Sequence, residues 1–233
     1  TGTIGVGITS NKERFIKSIR LHSTSRKGVR KMSLTLSAVS KSTETVPAGT
    51  FAARCYQIID LGHQTTSFEG QVKVVPQVRI SWELSELMAD GRPFSISKEY
   101  TASIGDKANL RKDLEAWRGR AFTTDELKNF SLENVLGAPC LLGVVHRPSK
   151  DGSKVYANVG SVMALPKGMS APELVNPAVK FDIATFDTKV FDSLSNYVQK
   201  KIMMSKELEE NGIPLVVAEP EQEPVIESDE VPF

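Results

Sequence analysis

The sequence is poor in the residues that build metal centres and disulfide frameworks. Its 233 residues include only two cysteines, Cys55 and Cys140, and three histidines. Neither cysteine lies in a C-x-x-C spacing, so we expect neither a disulfide scaffold nor a metal site. No apolar run approaches the roughly 18 residues that a membrane-spanning helix requires. We therefore expect a cytoplasmic protein (in the host cytoplasm if a phage encodes it) that does not contact a membrane.

The sequence also lacks a recognisable catalytic constellation. Cys140 and His146 have matching parity on one predicted strand, but six strand residues span roughly 20 Å, whereas a nucleophile and its base must lie within about 3 Å. Cys55 and His63 are too far apart for a similar reason. No Walker loop and no paired-carboxylate spacing is present. We therefore predict a protein that is not an enzyme and binds no cofactor.

The net charge of +1 hides a separation of charge along the chain. Residues 1–31 hold eight basic residues and one acid, whereas residues 207–233 hold nine acids and no lysine or arginine. Because Met32 begins a stretch that looks like an ordinary translation start, we expect residues 1–31 to be a basic extension that is either disordered or non-native. The acids of 207–233 repel one another and four prolines interrupt them, which predicts a disordered acidic tail.

The end of this tail places acids directly before an apolar tip. A phenylalanine ring suits an apolar pocket of a partner, whose basic residues would contact the carboxylates. A simple role in solubility is the alternative interpretation of the acidic charge. We assign partner binding to the last five residues, which are Asp229, Glu230, Val231, Pro232 and Phe233.

Residues 32–206 have the periodicity of a mainly β domain with a helical insertion, an α+β class. Val78, Ile80, Trp82 and Leu84 alternate with polar residues, as expected of a half-buried strand. The element order β-β-β-α-β-β is that of the OB-fold, a five-stranded Greek-key barrel that binds oligonucleotides. We predict strands over 51–61, 71–84, 94–104, 138–146 and 155–165, and helices over 106–117, 123–130 and 191–208.

Several stretches of this domain resemble one family of tailed-phage proteins. The most specific is the block Leu110-Arg111-x-x-Leu114-x-x-Trp117-Arg118-Gly119-Arg120. Together with Ile80–Leu84, Tyr156–Val159 and the tail ending in Pro-Phe, this block resembles the phage single-stranded DNA-binding (SSB) proteins, which have an OB-fold. The resemblance covers residues 45–206 and the tail. It implies sequence-independent coating of single-stranded DNA in replication or recombination, with the tail recruiting replication or recombination proteins.

Binding of single strands without sequence preference requires cations for the phosphates and exposed aromatic rings for the bases. Strand parity groups Tyr56 with Arg54 and Tyr156 with Lys154, whereas Tyr100 shares parity with both Lys98 and apolar residues. Arg147 adds charge near the predicted hairpin loop. The helical block carries a basic ridge, for which a solvated helix face is the alternative interpretation. The candidate DNA-binding residues are Arg54, Tyr56, Lys73, Arg79, Lys98, Tyr100, Arg111, Lys112, Arg118, Arg120, Lys154 and Tyr156.

Two other functions stay open at this point. The domain could be an OB-like scaffold for protein interactions that binds no nucleic acid, or a phage strand-annealing protein. A scaffold has no need to gather cations, so we expect nucleic-acid binding to bring Arg54, Arg79, Lys98 and Lys154 onto one surface. The sequence is compatible with a homo-oligomer but does not specify one.

Overall fold

The computed structural model describes residues 44–68, 70–149 and 151–211, which form a mainly antiparallel β-sheet with short helices. Residues 1–31 and the tail residues Asp229–Phe233 lie outside this description. The strands are β1 (Gly49–Phe68), β2 (Gln71–Leu87), β3 (Pro93–Thr101), β4 (Pro139–Pro148), β5 (Val155–Met163) and β6 (Val179–Phe181). The helices are α1 (Asn109–Arg118), α2 (Thr124–Lys128), α3 (Thr188–Ser193), α4 (Asn196–Met203) and α5 (Lys206–Asn211), with a 3-10 turn at Leu132–Val135.

The sheet is arranged around β1. The strand order is β3-β2-β1-β4-β5 with antiparallel neighbours, and β6 pairs in parallel with Gln57–Ile59 of β1. The end strands β3 and β5 also contact each other. Three strands, a helical insertion and two further strands follow one another as predicted, whereas β6 was not predicted because it has only three residues.

One face of the sheet, here called the inner face, supports the main core. Val78, Ile80, Trp82 and Leu84 of β2 are buried on it, which confirms the alternation seen in the sequence. Helix α1 covers this face because Leu110, Leu114 and Trp117 recur at helical spacing and are all buried. The ring centroids of Trp82 and Trp117 lie 5.8 Å apart. Trp117, which belongs to the block from Leu110 to Arg120 noted in the sequence, therefore packs α1 against the sheet.

Local signals set the limits of the helical insertion. Gly119 ends α1 in a left-handed conformation (φ 69°), which a residue with a side chain adopts reluctantly. Thr123 and Glu126 then form the capping box that their spacing predicts at the start of α2. Helix α1 begins at Asn109 rather than at residue 106, since residues 105–108 form a turn before it.

The opposite, outer face of β1 supports a second core. Ile59 and Leu61 are fully buried there against Phe186, Phe191 and Ile202 of the C-terminal segment. The single helix predicted over 191–208 is instead three short helices, because the side chains of Asp187 and Ser195 cap new starts.

The folded chain continues by one helix beyond residue 206, so the predicted start of the tail at residue 207 is too early. Residues Lys206–Asn211 form α5, in which Leu208 is buried. The Glu207 carboxylate accepts the backbone N–H of His63 at 2.9 Å and contacts His63 Nδ1 at 2.6 Å. Gly62 makes this approach possible, since a Cβ atom there would lie 2.6 Å from Glu207 Oε2.

The outer face of β2 is covered as well, contrary to the polar pattern that predicts solvent there. Glu83 is only 1% exposed. Its carboxylate accepts the backbone N–H groups of Val175 at 2.9 Å and Asn176 at 2.8 Å, and also the Asn176 side-chain amide. A buried carboxylate needs such donors. The chain after β5 therefore crosses the outer face and is bound there by Glu83.

Replacing this carboxylate tests how strongly the covering segment is held. We expect Glu83→Ala to lower the free energy of unfolding by about 2 kcal/mol, because hydrogen bonds to a buried charged acceptor are lost. Urea unfolding followed by tryptophan fluorescence measures the change. Glu86→Ala, an exposed glutamate on the same strand, is the matched control and should change stability by less than about 0.5 kcal/mol. Equal effects of the two substitutions would contradict this role of Glu83.

Candidate nucleic-acid interface

The predicted cations of β1 and β2 bind other parts of the domain. Arg54 donates from Nε to the Pro172 carbonyl at 2.7 Å and from Nη1 to the Gly137 carbonyl at 2.8 Å. Arg79 pairs with Glu99 at 3.0 Å. The guanidinium group of Arg54 is therefore hydrogen-bonded to backbone carbonyls, and the charge of Arg79 is offset by Glu99.

Tyr56 lies on the same covered side as Arg54. The pairing of β1 with β2 shifts between Cys55 and Gln57, so Tyr56 occupies a β-bulge. The residue is half-buried, and burial raises the pKa of its phenol despite a hydrogen bond with Ser95. Its ring is only partly available to a base.

Lys98 and Tyr100 lie on the opposite, inner side of β3. Lys98 pairs across the strands with Ile80, and its ammonium group contacts Asp113 of α1 at 2.7 Å. The Tyr100 hydroxyl donates to the same carboxylate at 2.8 Å. Tyr100 is only 5% exposed, and burial, followed by the Asp113 charge, raises the pKa of its phenol. The prediction of Tyr100 as a stacking ring is wrong because the ring is part of the core.

The basic ridge of the helical block is mostly neutralised. Arg111 contacts Glu115 at 3.0 Å and Asp106 at 2.5 Å. Glu126 binds both Arg118 and Arg120. The Arg118 guanidinium also lies 4.4 Å from the ring centroid of Phe122, a stabilising arrangement at a half-buried site. Arg118 and Arg120 thus connect the end of α1 to α2, whereas Arg111 is paired locally. The interpretation as a helix face with local acidic partners describes these arginines better than a phosphate-binding ridge.

The four cations expected on one surface are not gathered there. Arg54 and Arg79 lie on the outer face, and Lys154, two residues before Tyr156, shares that side, whereas Lys98 lies on the inner side. The expectation is therefore wrong for Lys98, because its pairing with the buried Ile80 places it on the inner side. Of the remaining candidates, Lys73 near the tip of the β1–β2 hairpin and Lys112 on α1 are exposed, with no ion-pair partner among the described residues.

The β4–β5 hairpin does bring an exposed ring and free cations together. Tyr156 is 53% exposed and pairs directly across the strands with Arg147, while Asn158 pairs with Val145. Lys154 precedes Tyr156 by two residues and continues the same side of the strand. Within residues 44–211 as described, neither Arg147 nor Lys154 forms a salt bridge. We call this surface the hairpin face; its residues are Val145, Arg147, Lys154, Tyr156 and Asn158.

The turn between the strands sets the position of these side chains. Asp151 accepts the Ser153 backbone N–H at 3.2 Å and the Ser153 hydroxyl at 2.8 Å. Hydrogen bonds from the hydroxyls of Ser149 and Ser153 lower the pKa of Asp151 to about 2. Ser149 closes the turn by accepting the Lys154 N–H at 3.0 Å through its hydroxyl, so Lys154 is held at the beginning of β5.

The hairpin face contains three residues that were not among the candidates, Val145, Arg147 and Asn158. The Asn158 amide donates to the Tyr156 carbonyl at 2.9 Å, which keeps its side chain beside the tyrosine. The Asp-Gly turn signal at 151–152 limits the cross-strand partner of Tyr156 to residues near Arg147. Counting strand residues outward from that turn could have paired Arg147 with Tyr156 from the sequence.

Metal-binding clusters, exposed thiols and membrane-spanning helices are not found among the described residues. In the parts of the chain that it describes, no group of three or more His, Cys, Asp or Glu side chains could hold a metal ion. Cys55 and Cys140 are both buried and unbridged, and burial raises the pKa of Cys55 to about 12. No helix in the described ranges has the length and apolar character needed to cross a membrane.

The chain matches no protein-family model and no curated protein sequence. The resemblance to phage SSB proteins therefore stays a prediction from the residue blocks.

The Glu126 network gives a pH-dependent test of the α1–α2 connection. The Arg120 side chain, then the Thr123 backbone N–H, lower the pKa of Glu126 from 4.5 to about 2. Since the folded-state pKa is the lower one, the ionised carboxylate stabilises the fold above about pH 4.5, and this contribution is lost as the pH falls towards 2. We expect Glu126→Gln to lower Tm at pH 7, and the Tm difference from the parent to shrink below pH 4.5.

Thermal unfolding by circular dichroism across pH 2–7 measures this difference. The exposed Glu86→Gln should show no comparable pH-dependent gap. A Tm deficit of Glu126→Gln that stays constant down to pH 2 would contradict the role of the charge.

Proposed function

We propose that this domain binds single-stranded DNA without sequence preference and that the hairpin face is its contact surface. The observation that carries the proposal is the exposed ring of Tyr156 between Arg147 and Lys154, two cations with no acidic partner in the described chain. A base can stack on a tyrosine ring while flanking cations contact the adjacent phosphates. Since neither ring stacking nor phosphate contact reads base edges, binding would be independent of sequence.

The strand arrangement supports an OB-fold as the scaffold for this function. The order β3-β2-β1-β4-β5, with α1 between β3 and β4, is the connectivity expected of that barrel. Contact between the end strands β3 and β5 agrees with a sheet that curls towards closure. The β4–β5 hairpin is also one of the two loop regions through which OB-folds commonly contact oligonucleotides.

An OB-like scaffold that binds only proteins is the second candidate. It is favoured by the partners that Arg54, Arg79 and Lys98 already have, which leave Lys73 as the one predicted cation of β1–β3 without an ion-pair partner among the described residues. The two functions differ in their response to single-stranded DNA. A scaffold would not bind it even at low salt. A strand-annealing protein would bind it and would also accelerate pairing of complementary strands.

Fluorescence anisotropy with labelled oligo-dT across a salt series tests the proposal. We expect tight binding of the single strand, with an affinity that falls linearly in log salt. Neutralising both hairpin cations (Arg147→Gln with Lys154→Gln) should flatten the slope by about 1.4, since each phosphate contact contributes about 0.7. Tyr156→Leu should weaken binding roughly 5- to 150-fold, because about 1–3 kcal/mol of stacking is lost, and Tyr156→Phe should retain most of it.

Two controls make this experiment decisive. Lys189→Gln removes an exposed cation of α3, away from the hairpin, and should leave both affinity and slope unchanged. Duplex DNA of the same length should bind more weakly. Equal binding of duplex would point to the basic residues 1–31, which a chain starting at Met32 would lack. No binding of oligo-dT at low salt would contradict the proposal and leave the scaffold.

We further propose that the acidic tail has two roles, recruiting replication or recombination proteins and competing with DNA for the hairpin cations. Because Glu207 and Leu208 belong to the folded α5, the tail should be removed after Asn211, which deletes six acids. We expect this truncated chain to bind oligo-dT more tightly than the full chain at low salt. Phe233→Ala, which keeps all the acids, should not alter DNA affinity but should abolish partner recovery from host lysate. Unchanged affinity after truncation would exclude the competing role.

A further inference from the structure

A second exposed tyrosine lies on the outer side of the sheet, on α4 rather than on a strand. Tyr197 is 57% exposed, although its hydroxyl donates to Glu99 of β3 at 3.2 Å. The guanidinium carbon of Arg79 lies over one side of its ring, 5.5 Å from the centroid. Because Arg79 lies on that side and more than half of the residue is exposed, a ligand would reach the ring from the opposite, open side.

The position of this ring is fixed by the packing of α4. Val198 and Ile202 are buried against the sheet, so the helix cannot rotate freely. The Gln199 amide donates to the Phe191 carbonyl at 2.9 Å, which ties α4 to α3. Lys201 contacts the other oxygen of Glu99. A ring held in this way loses little conformational entropy when a ligand stacks on it.

The charges around Tyr197 leave one cation available. Burial works to raise the pKa of Glu99, but the contacts of Lys201 and Arg79 outweigh it, and the pKa lies below its ordinary value. The ionised Glu99 therefore offsets the charges beneath the ring. Lys200 lies three residues after Tyr197, on the same side of the helix. It is exposed and has no ion pair among the residues described.

We infer that Tyr197 and Lys200 form a second contact for single-stranded DNA, in which a base stacks on the open side of the ring and Lys200 contacts a phosphate. This inference rests on the proposed function and extends it to α4. A fixed aromatic ring beside a free cation is the combination that non-specific single-strand binding requires. The exposed neighbours of Tyr197 within α4 are the polar Asn196 and Lys200, and Met204, which caps the end of the helix, is exposed as well.

The two contacts lie on the same side of the sheet. Arg147 and Val145 alternate along β4 with the buried Val144, on the side to which Arg54 belongs in β1. Arg79 and Glu99, beneath Tyr197, belong to that same outer side in β2 and β3. Tyr156 lies on β5 whereas Tyr197 lies beside β2 and β3, so only an oligonucleotide long enough to reach from one ring to the other can use both contacts.

Photo-crosslinking of the full chain to oligo-dT containing 5-iododeoxyuridine tests the second contact, with crosslinked residues located by mass spectrometry. We expect crosslinks at both Tyr156 and Tyr197 with a long oligonucleotide. A crosslink at Tyr156 without one at Tyr197 would overturn the second contact and leave the proposed function intact. Absence of any binding at low salt would overturn both.

Affinity measurements on variants provide an independent readout. Tyr197→Leu should weaken binding of long oligo-dT roughly 5- to 150-fold, whereas Tyr197→Phe keeps the ring and should bind nearly as the parent does. If Tyr197→Leu disturbs folding, Lys200→Gln still decides the question, because this side chain is exposed. It should reduce the salt slope by about 0.7, with Lys189→Gln unchanged. A slope equal to that of the parent would overturn the contact of Lys200.

Discussion

Backbone pairing along both edges of β1 is the constraint on which the other elements depend. One edge pairs with β2, and the other pairs first with β4 and then with β6. Consecutive side chains of β1 enter different cores, with Ile58 in the cluster beneath α1 and Ile59 in the cluster beneath α3–α5. The register shifts at Tyr56 and Leu61 bend the strand so that it can serve both layers.

Covering of the outer face by the C-terminal segment determines which charges remain available. Because Glu83 binds residues 175–176 and Arg54 binds Pro172, the outer surface of β1 and β2 around these two side chains is covered. Arg54, Arg79 and Lys98, together with the arginines of α1, have acidic or carbonyl partners. Free cations beside exposed rings occur at the hairpin face and on α4, both outside the covered region. The proposed DNA contacts therefore lie on the hairpin face and on the solvent-exposed side of α4.

The sequence predicted those features whose physical cause is local. Alternation around Trp82, helical spacing of Leu114 with Trp117, and the capping box of Thr123 with Glu126 all depend on neighbours within a few residues. The burial of Glu83 could not be predicted, because its donors lie 92 and 93 residues later. The prediction of Tyr100 as a stacking ring is wrong because its hydroxyl binds Asp113 of a separate element, which holds the ring in the core. The alternation of side chains along a strand does not reveal charge partners that lie far away in the sequence.

Chemical labelling of the two buried cysteines can report on opening of the sheet. Cys55 and Cys140 are both 0% exposed, on adjacent strands at the centre of the sheet. Burial keeps them protonated at neutral pH, and alkylating reagents react with the thiolate. Modification therefore requires the sheet to open around β1 and β4. The rate of labelling reports how often these strands separate in the native protein, without any added probe.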